Sequence, residues 1–129
     1  MKWYTWQECE RDIEKIAVWA AAKNFDAVYG IPRGGLVVAV LLSHRLGIPL
    51  VLDAAGVNPK TLVVDDISDS GRTLAAFERG LAFRPSVATL FYHKDTERIP
   101  EYALNEKTAW VVFPWEQELS SRYDGTVTV

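Results

Sequence analysis

Thr61-Leu-Val-Val-Asp-Asp-Ile-Ser-Asp-Ser-Gly-Arg-Thr-Leu74 decides the fold. Its opening residues are apolar or β-branched and read as a buried strand that reaches Val64 or Asp65. Three carboxylates follow, at Asp65, Asp66 and Asp69. Uncompensated carboxylates are too costly to bury inside a sheet, so they belong at or beyond the strand's carboxyl end. Open parallel α/β sheets keep their ligand crevice there. Ser70-Gly-Arg-Thr73 then turns the chain into a helical pattern. The first N–H groups of a helix lack internal partners, and with the helix dipole they cradle a phosphate. Acids beside a phosphate cradle point to a sugar phosphate held with a hard divalent metal.

The flanking segments supply the rest of an α/β layout. Thr5-Trp-Gln-Glu8 fits a capping box, and Ile13, Ile16, Ala17 and Ala20 recur at helical spacing, giving a helix to about Lys23 with Asn24 as its stop. Asp26 to Gly30 reads as a strand, Ile31 to Gly34 as a turn, and Gly35 to Leu46 as a helix closed by Gly47. Pro49 to Leu52 is a short strand. A helix is expected over Thr73 to Phe83, ending before Pro85, and strands over Val87 to Tyr92 and Trp110 to Phe113. Arg122 to Val129 is a candidate tail strand. Strands alternating with helices imply a parallel sheet covered on both faces.

At 129 residues the chain has the length of one domain, 1–129, with a real but modest core. A net charge of −3 argues against a general nucleic-acid binder. The lone cysteine, Cys9, has no disulfide partner and no metal-ligand spacing around it, so it reads as a semi-buried helix residue in a reducing cytoplasm. No signal peptide is visible after Met1, and no apolar run is long enough to cross a membrane.

Three stretches together bring a family into view. Val63 to Leu74 closely resembles the phosphoribosyl-pyrophosphate (PRPP) signature of the type I phosphoribosyltransferases. Upstream, Ile31-Pro-Arg-Gly-Gly-Leu36 is similar to their pyrophosphate loop. Downstream, Trp110-Val-Val-Phe-Pro-Trp-Glu116 resembles the base-binding tail of the xanthine/guanine/hypoxanthine branch. They occur in the family's order and span nearly the whole chain. The resemblance implies an α/β, Rossmann-like fold with a mostly parallel central sheet flanked by helices and a small C-terminal base-binding hood. It implies transfer of 5-phosphoribosyl from PRPP to a 6-oxopurine with release of pyrophosphate, Mg²⁺ as cofactor, and PRPP and a purine base or nucleoside monophosphate as partners. A cytoplasmic homo-oligomer, dimer or tetramer, is expected by the same analogy, with neither nucleic acid nor membrane as partner.

Residue by residue, the resemblance assigns Asp65 and Asp66 to the ribose hydroxyls and the metal shell, the metal reached directly or through water. Asp69 matches a carboxylate near the incoming base, where it would accept a proton or balance charge at C1 of ribose. An Asp at that point also caps a helix well. Asp69, Ser70, Gly71, Arg72 and Thr73 would hold the 5′-phosphate, although Arg72 also suits a solvent-facing helix position. Arg33, Gly34 and Gly35 form the expected pyrophosphate site, in a loop that often carries a non-proline cis peptide in the family. Trp110 would stack on the purine, with main-chain groups near Val111 reading its edge. Core or interface roles suit Trp3, Trp6, Trp19 and Trp115.

Two departures matter. His93 falls where the purine branch has a lysine that reads the exocyclic oxygen, with Lys94 one step away and a surface role for His93 equally open. The connection Asp53-Ala-Ala-Gly-Val-Asn-Pro-Lys60 replaces a long mobile loop that closes over PRPP in the family. A lid excludes water and completes such a site. Its loss motivates an alternative, a weak or inactive PRPP- or nucleotide-binding regulatory protein. A third class, an interaction module built on exposed tryptophans, leaves the ordered motifs unexplained.

Overall fold

The computed structural model describes residues 1–122 and 125. In chain order the elements are β1 (Lys2–Trp3), α1 (Trp6–Ala21), β2 (Ala27–Gly30), α2 (Gly34–Leu46), β3 (Leu50–Val51), a 3-10 turn (Ala54–Gly56), β4 (Thr61–Ser68), α3 (Arg72–Arg79), β5 (Ser86–Tyr92), β6 (Tyr102–Glu106), β7 (Val111–Val112) and a 3-10 turn (Ser120–Arg122). Five strands form one sheet in the order β3-β2-β4-β5-β6, and every neighbouring pair is parallel. Alternation along the strands sends side chains to both faces. Val28, Leu62, Val64, Ala88 and Leu90 join Ile13, Ile16, Val38 and Leu42 of α1 and α2 in one core. Tyr29, Val63 and Val87 join Leu74 of α3, with Phe77 packed against them, in the second. The sheet is thus covered on both sides, as the strand–helix alternation requires.

Local chemistry explains the boundaries. The capping box at Thr5 and Glu8 is formed, Thr5 Oγ1 accepting from the Glu8 amide at 3.1 Å. Gly47 closes α2 in the left-handed conformation. α3 ends at Arg79, well before Phe83, because Gly80 interrupts it; glycine weakens helical backbone. The connection from Asp53 to Lys60 is tight: Asp53 Oδ1 accepts from the Ala55 amide at 3.0 Å, and Asn58 Oδ1 from the Lys60 amide at 2.8 Å.

The decisive departure from expectation is β4, which continues to Ser68. It pairs with β2 only as far as Val64, opposite Gly30, but with β5 as far as Ser68, opposite Tyr92. Its last residues therefore overhang the sheet on the β2 side. The burial cost that argued for an earlier strand end is lowered but not removed, because this overhang borders a cleft while Asp65 stays buried and Asp66 half-buried. β6 escaped the sequence because its half-buried Tyr-Ala-Leu-Asn-Glu pattern lacks β-branched residues. The strand expected over Trp110–Phe113 shrinks to β7 and pairs with β1, where the Lys2 amide donates to Trp110 O at 2.7 Å and the Tyr4 amide to Val112 O at 2.9 Å. Cys9 is fully buried, not semi-buried, and burial pushes its thiol up to about 11. Most of the tail strand expected over Arg122–Val129 lies outside the described residues; Arg122 itself sits in the last 3-10 turn. No described helix is long and apolar enough to cross a membrane.

Candidate active site

A cleft of about 270 Å³ opens over the carboxyl ends of the central strands. Its floor is the overhanging end of β4 and the turn into α3. Asp65, Asp66, Asp69, Ser70, Gly71 and Thr73 all line it.

The turn into α3 is built around Gly71. Its φ is +83°, a conformation that side chains with a Cβ rarely adopt, and a Cβ there would lie 2.4 Å from Thr96 Oγ1 and 2.6 Å from the Arg98 nitrogen. The segment behind it is fixed. Ser68 Oγ donates to Arg98 O at 2.7 Å and shares a hydrogen bond with Thr96 Oγ1 at 2.8 Å, while the Glu97 amide donates to Ser70 O at 2.9 Å. Arg98 anchors this backing loop: its guanidinium is buried and bonds Glu78 of α3, Glu101 and Pro85 O. In front, Ser70, Gly71, Thr73 and Leu74 line the cleft, and the Arg72 amide donates to Ser70 Oγ at 3.2 Å. Arg72 does not line it; it is exposed, and its Nε donates to Ser70 Oγ at 3.4 Å.

Asp65 and Asp66 share the cleft although they are adjacent on β4, because Asp65 Oδ1 turns back to accept from the Asp66 amide at 2.9 Å. Asp66 leans on the first turn of α2, so closely that a Cβ on Gly34 would lie 2.0 Å from Asp66 Oδ2. Burial raises the Asp66 carboxyl above its ordinary range, against the weaker pull of Asp65 and nearby amides. Glu116, on the opposite wall, is raised too, first by burial and also by the charge of Asp66, although its Oε1 accepts from the Phe113 amide at 2.9 Å. Two desolvated carboxylates that repel across a cleft suit a divalent cation. No cluster of three or more metal-type side chains occurs among the described residues. Mg²⁺ commonly takes one or two carboxylates and completes its shell with waters and substrate phosphates. The donor set fits a cation that arrives with a phosphorylated substrate.

Pro32, Arg33 and Gly34 form the next wall. The Pro32–Arg33 peptide is cis. Gly35 lies behind the lining, buried against Val64 O, and its amide donates to Ile31 O at 2.9 Å. Arg33 Nη2 donates to Ser120 O at 3.5 Å, which draws the closing 3-10 turn across this wall.

The remaining wall carries Lys107, Trp110, Val111 and Phe113. Trp110 Nε1 donates to Ser121 Oγ at 3.1 Å. Lys107 Nζ lies 4.7 Å from the Trp110 ring centroid and pairs with Asp69 Oδ2 at 2.7 Å, and Arg122 Cζ lies 5.0 Å from the same ring. His93 is outside the lining: its amide donates to Ser68 O at 2.9 Å, and its Nδ1 accepts from the Asp95 amide at 3.0 Å. Lys94 is exposed. Sequence reasoning missed Lys107, Glu116 and Ser121. The only signal for Lys107 was its place just ahead of the tryptophan motif. Among the other tryptophans, Trp19 stacks on Tyr102 and Trp115 on Phe113, whereas Trp3 and Trp6 are exposed.

The chain resembles known proteins in sequence and in fold. No family model matches the chain. It is similar to a xanthine-guanine phosphoribosyltransferase of Gluconobacter oxydans, 27% identical over 139 residues that cover 87% of this chain and 82% of the relative. Among solved structures it is similar to a purine phosphoribosyltransferase from Pyrococcus horikoshii, with a TM-score of 0.77 and 30% identity, covering 89% of this chain and 93% of that one. It also shares the fold of a Helicobacter pylori xanthine-guanine-hypoxanthine phosphoribosyltransferase, with a TM-score of 0.79 and 20% identity over 92% of this chain and 95% of that one. With a cleft that joins the Gly71 turn, paired acids and a tryptophan wall, the chain belongs to the purine branch of the type I phosphoribosyltransferases.

Proposed function

We propose that the chain, as one phosphoribosyltransferase domain, transfers the 5-phosphoribosyl group of PRPP to a 6-oxopurine and releases pyrophosphate. The observation that carries this reading is the single cleft in which the α3 turn, the acid pair, the Arg33 loop and Trp110 meet. The amides of Ser70 to Thr73 hold the 5′-phosphate, and Asp65 and Asp66 place the ribose. Bound Mg²⁺ would draw charge from the leaving pyrophosphate, held by Asp66 with Asp65 behind it and Glu116 opposite. Arg33 and the Gly34 amide add positive potential at the same end. Asp69 faces the base and takes the proton it sheds as its ring nitrogen bonds to C1 and the C1–oxygen bond to pyrophosphate breaks. Fixing both anionic ends of PRPP aligns C1 for in-line attack.

The regulatory-protein alternative rested on the short Asp53–Lys60 connection. The relatives carry transferase names, and this connection does not line the cleft. Self-association belongs to the same proposal. α2 is apolar nearly all round and leaves Leu36 and Val40 exposed, as expected of a helix that packs on a second copy. The test is to mix protein, Mg²⁺ and PRPP with hypoxanthine, guanine, xanthine or adenine in turn. Pyrophosphate release that depends on an oxopurine is the expected result; none with any base would sink the proposal.

A further inference from the structure

We infer that Arg98, gripped by Glu78 and Glu101, is a positioning residue that sets the affinity of the Gly71 turn for the substrate's phosphate. The inference rests on the transferase reading for the ligand and on geometry for the residue. Helix α3 carries that turn at its amino end, yet of its eight residues only Leu74 is buried. Phe77 adds a stack on Tyr29, with ring centroids 5.3 Å apart. So short a helix draws its order from tertiary contacts. Apolar packing has no direction of its own, so it does not by itself fix where the first turn points.

The direction comes from an ion cluster behind the helix. The Arg98 side chain is only 3% exposed. Its Nε donates to Glu78 in the last turn of α3. Nη1 and Nη2 donate to the two oxygens of Glu101, each at 3.0 Å, and Nη2 also to Pro85 O at 3.0 Å. Glu101 in turn accepts from the Val87 amide of β5 at 2.7 Å. One guanidinium therefore ties the carboxyl end of α3 to the sheet. The main chain of the same residue meets the other end. Arg98 O accepts from Ser68 Oγ at 2.7 Å, and the Arg98 nitrogen lies where a Cβ on Gly71 would be 2.6 Å away. Arg98 thus braces α3 at both ends. Chemistry favours placement over stability as its role. The attraction within a buried ion pair is largely offset by lost hydration, and apolar replacements are often as stable. A guanidinium supplies a planar fork of fixed direction, which the point charge of a lysine does not. Anion binding rewards that, because the first turn must be held to a fraction of an ångström.

The test reads affinity for ribose 5-phosphate by calorimetry on the full chain, with the melting temperature followed for each variant. Glu78→Ala cuts the tie to α3 while Glu101 keeps the guanidinium paired, and alanine suits a helix. It should weaken ribose 5-phosphate about 3- to 10-fold, and Glu78→Gln, which keeps an oxygen acceptor, should recover part of the loss. Arg98→Lys should cost about 10- to 100-fold, because the fork to Glu78 and Glu101 is lost. In turnover the loss should fall on KM for PRPP, with kcat and KM for the base within about twofold of the parent. Ile13→Val, in the core that α1 and α2 share, gives the scale of a purely structural change: a lower melting temperature with unchanged affinity. The Glu78 pair decides the matter if Arg98→Lys does not fold. Glu78→Ala that binds like the parent, an equal loss in Ile13→Val, or an equal rise in KM for the base overturns the inference. So does a parent that binds no ribose 5-phosphate. Binding that responds as stated, with no pyrophosphate release from PRPP and any purine base, would instead sink the transferase proposal and leave the Arg98 assignment standing.

Discussion

The proposed phosphate wall of the cleft comes from one stretch of chain, Asp65 to Thr73, of which all but Arg72 line it, whereas the proposed base wall gathers Lys107, Trp110, Val111, Phe113 and Ser121 from loops, a two-residue strand and the last 3-10 turn. The first wall is made by a strand running into a helix, so sequence order and spatial order coincide. Its rigidity comes from behind, through Ser68, Thr96 and the buried Arg98. The second wall has no such continuity. Trp110 is held by β1 on its backbone, by Ser121 on its indole nitrogen and by two cations near its ring. A site that must grip an invariant phosphate can be a local motif. A site that must choose among bases is assembled from parts that vary independently.

That contrast can be tested from its strongest point downward. Gly71→Val puts a β-branched residue at a φ of +83° with its Cβ against Thr96 and Arg98. We expect PRPP affinity to fall by ~100-fold or more through strain and clash, read by calorimetry. A variant that folds and binds like the parent would show that the phosphate is held elsewhere.

Asp66→Asn comes next, with opposite effects on binding and stability. Loss of the carboxylate should weaken Mg²⁺-dependent PRPP binding by about 10- to 100-fold, measured by titration with and without Mg²⁺. Burial holds this carboxyl above its ordinary value of 3.8, so the native state binds more protons than the unfolded chain. Its contribution is then greatest below that ordinary value and declines as pH rises through the folded one. Asparagine removes the decline. The unliganded variant should melt higher than the parent at about pH 7 and match it at about pH 3. A lower melting point at neutral pH would contradict the assigned direction.

On the base wall, Trp110→Ala should raise KM for the base by roughly 5- to 150-fold, the ~1–3 kcal/mol of a lost stacking platform. KM for PRPP should hardly move, because the phosphate wall is separately braced. Equal rises in both constants would show that the walls are mechanically one. The smallest effect is expected from Arg72→Ala. Arg72 is exposed outside the cleft, so PRPP affinity should change by no more than about twofold. A large loss would return Arg72 to the phosphate site.

Legibility followed chain separation. Helices α1 and α2, strands β2 to β5 and the acidic turn into α3 could be read because each is written in adjacent residues: a capping box, an apolar strand, a closing glycine. β1 and β6 were invisible, one too short to show a period and the other a half-buried strand of mixed composition. The reach of β4 to Ser68 depended on where β2 stops beside it, a fact about a neighbour and not about the segment. His93 was aligned by counting residues along a strand. Lys107 occupies the cleft through a loop that folds back to Tyr92, which counting does not reveal.

Sequence alone determined the α/β layering and the Gly71 turn into α3, because hydrophobic period, glycine and the placement of charge act over a few residues and need no distant partner. Only the tertiary structure decided which cation enters the cleft beside Asp69 and which carboxylates oppose each other across it. Lys107 meets Asp69, and Glu116 meets Asp66, across long stretches of chain. Such encounters are fixed by how strands overhang and loops return, and their energies exist only once water has been excluded from the space between them.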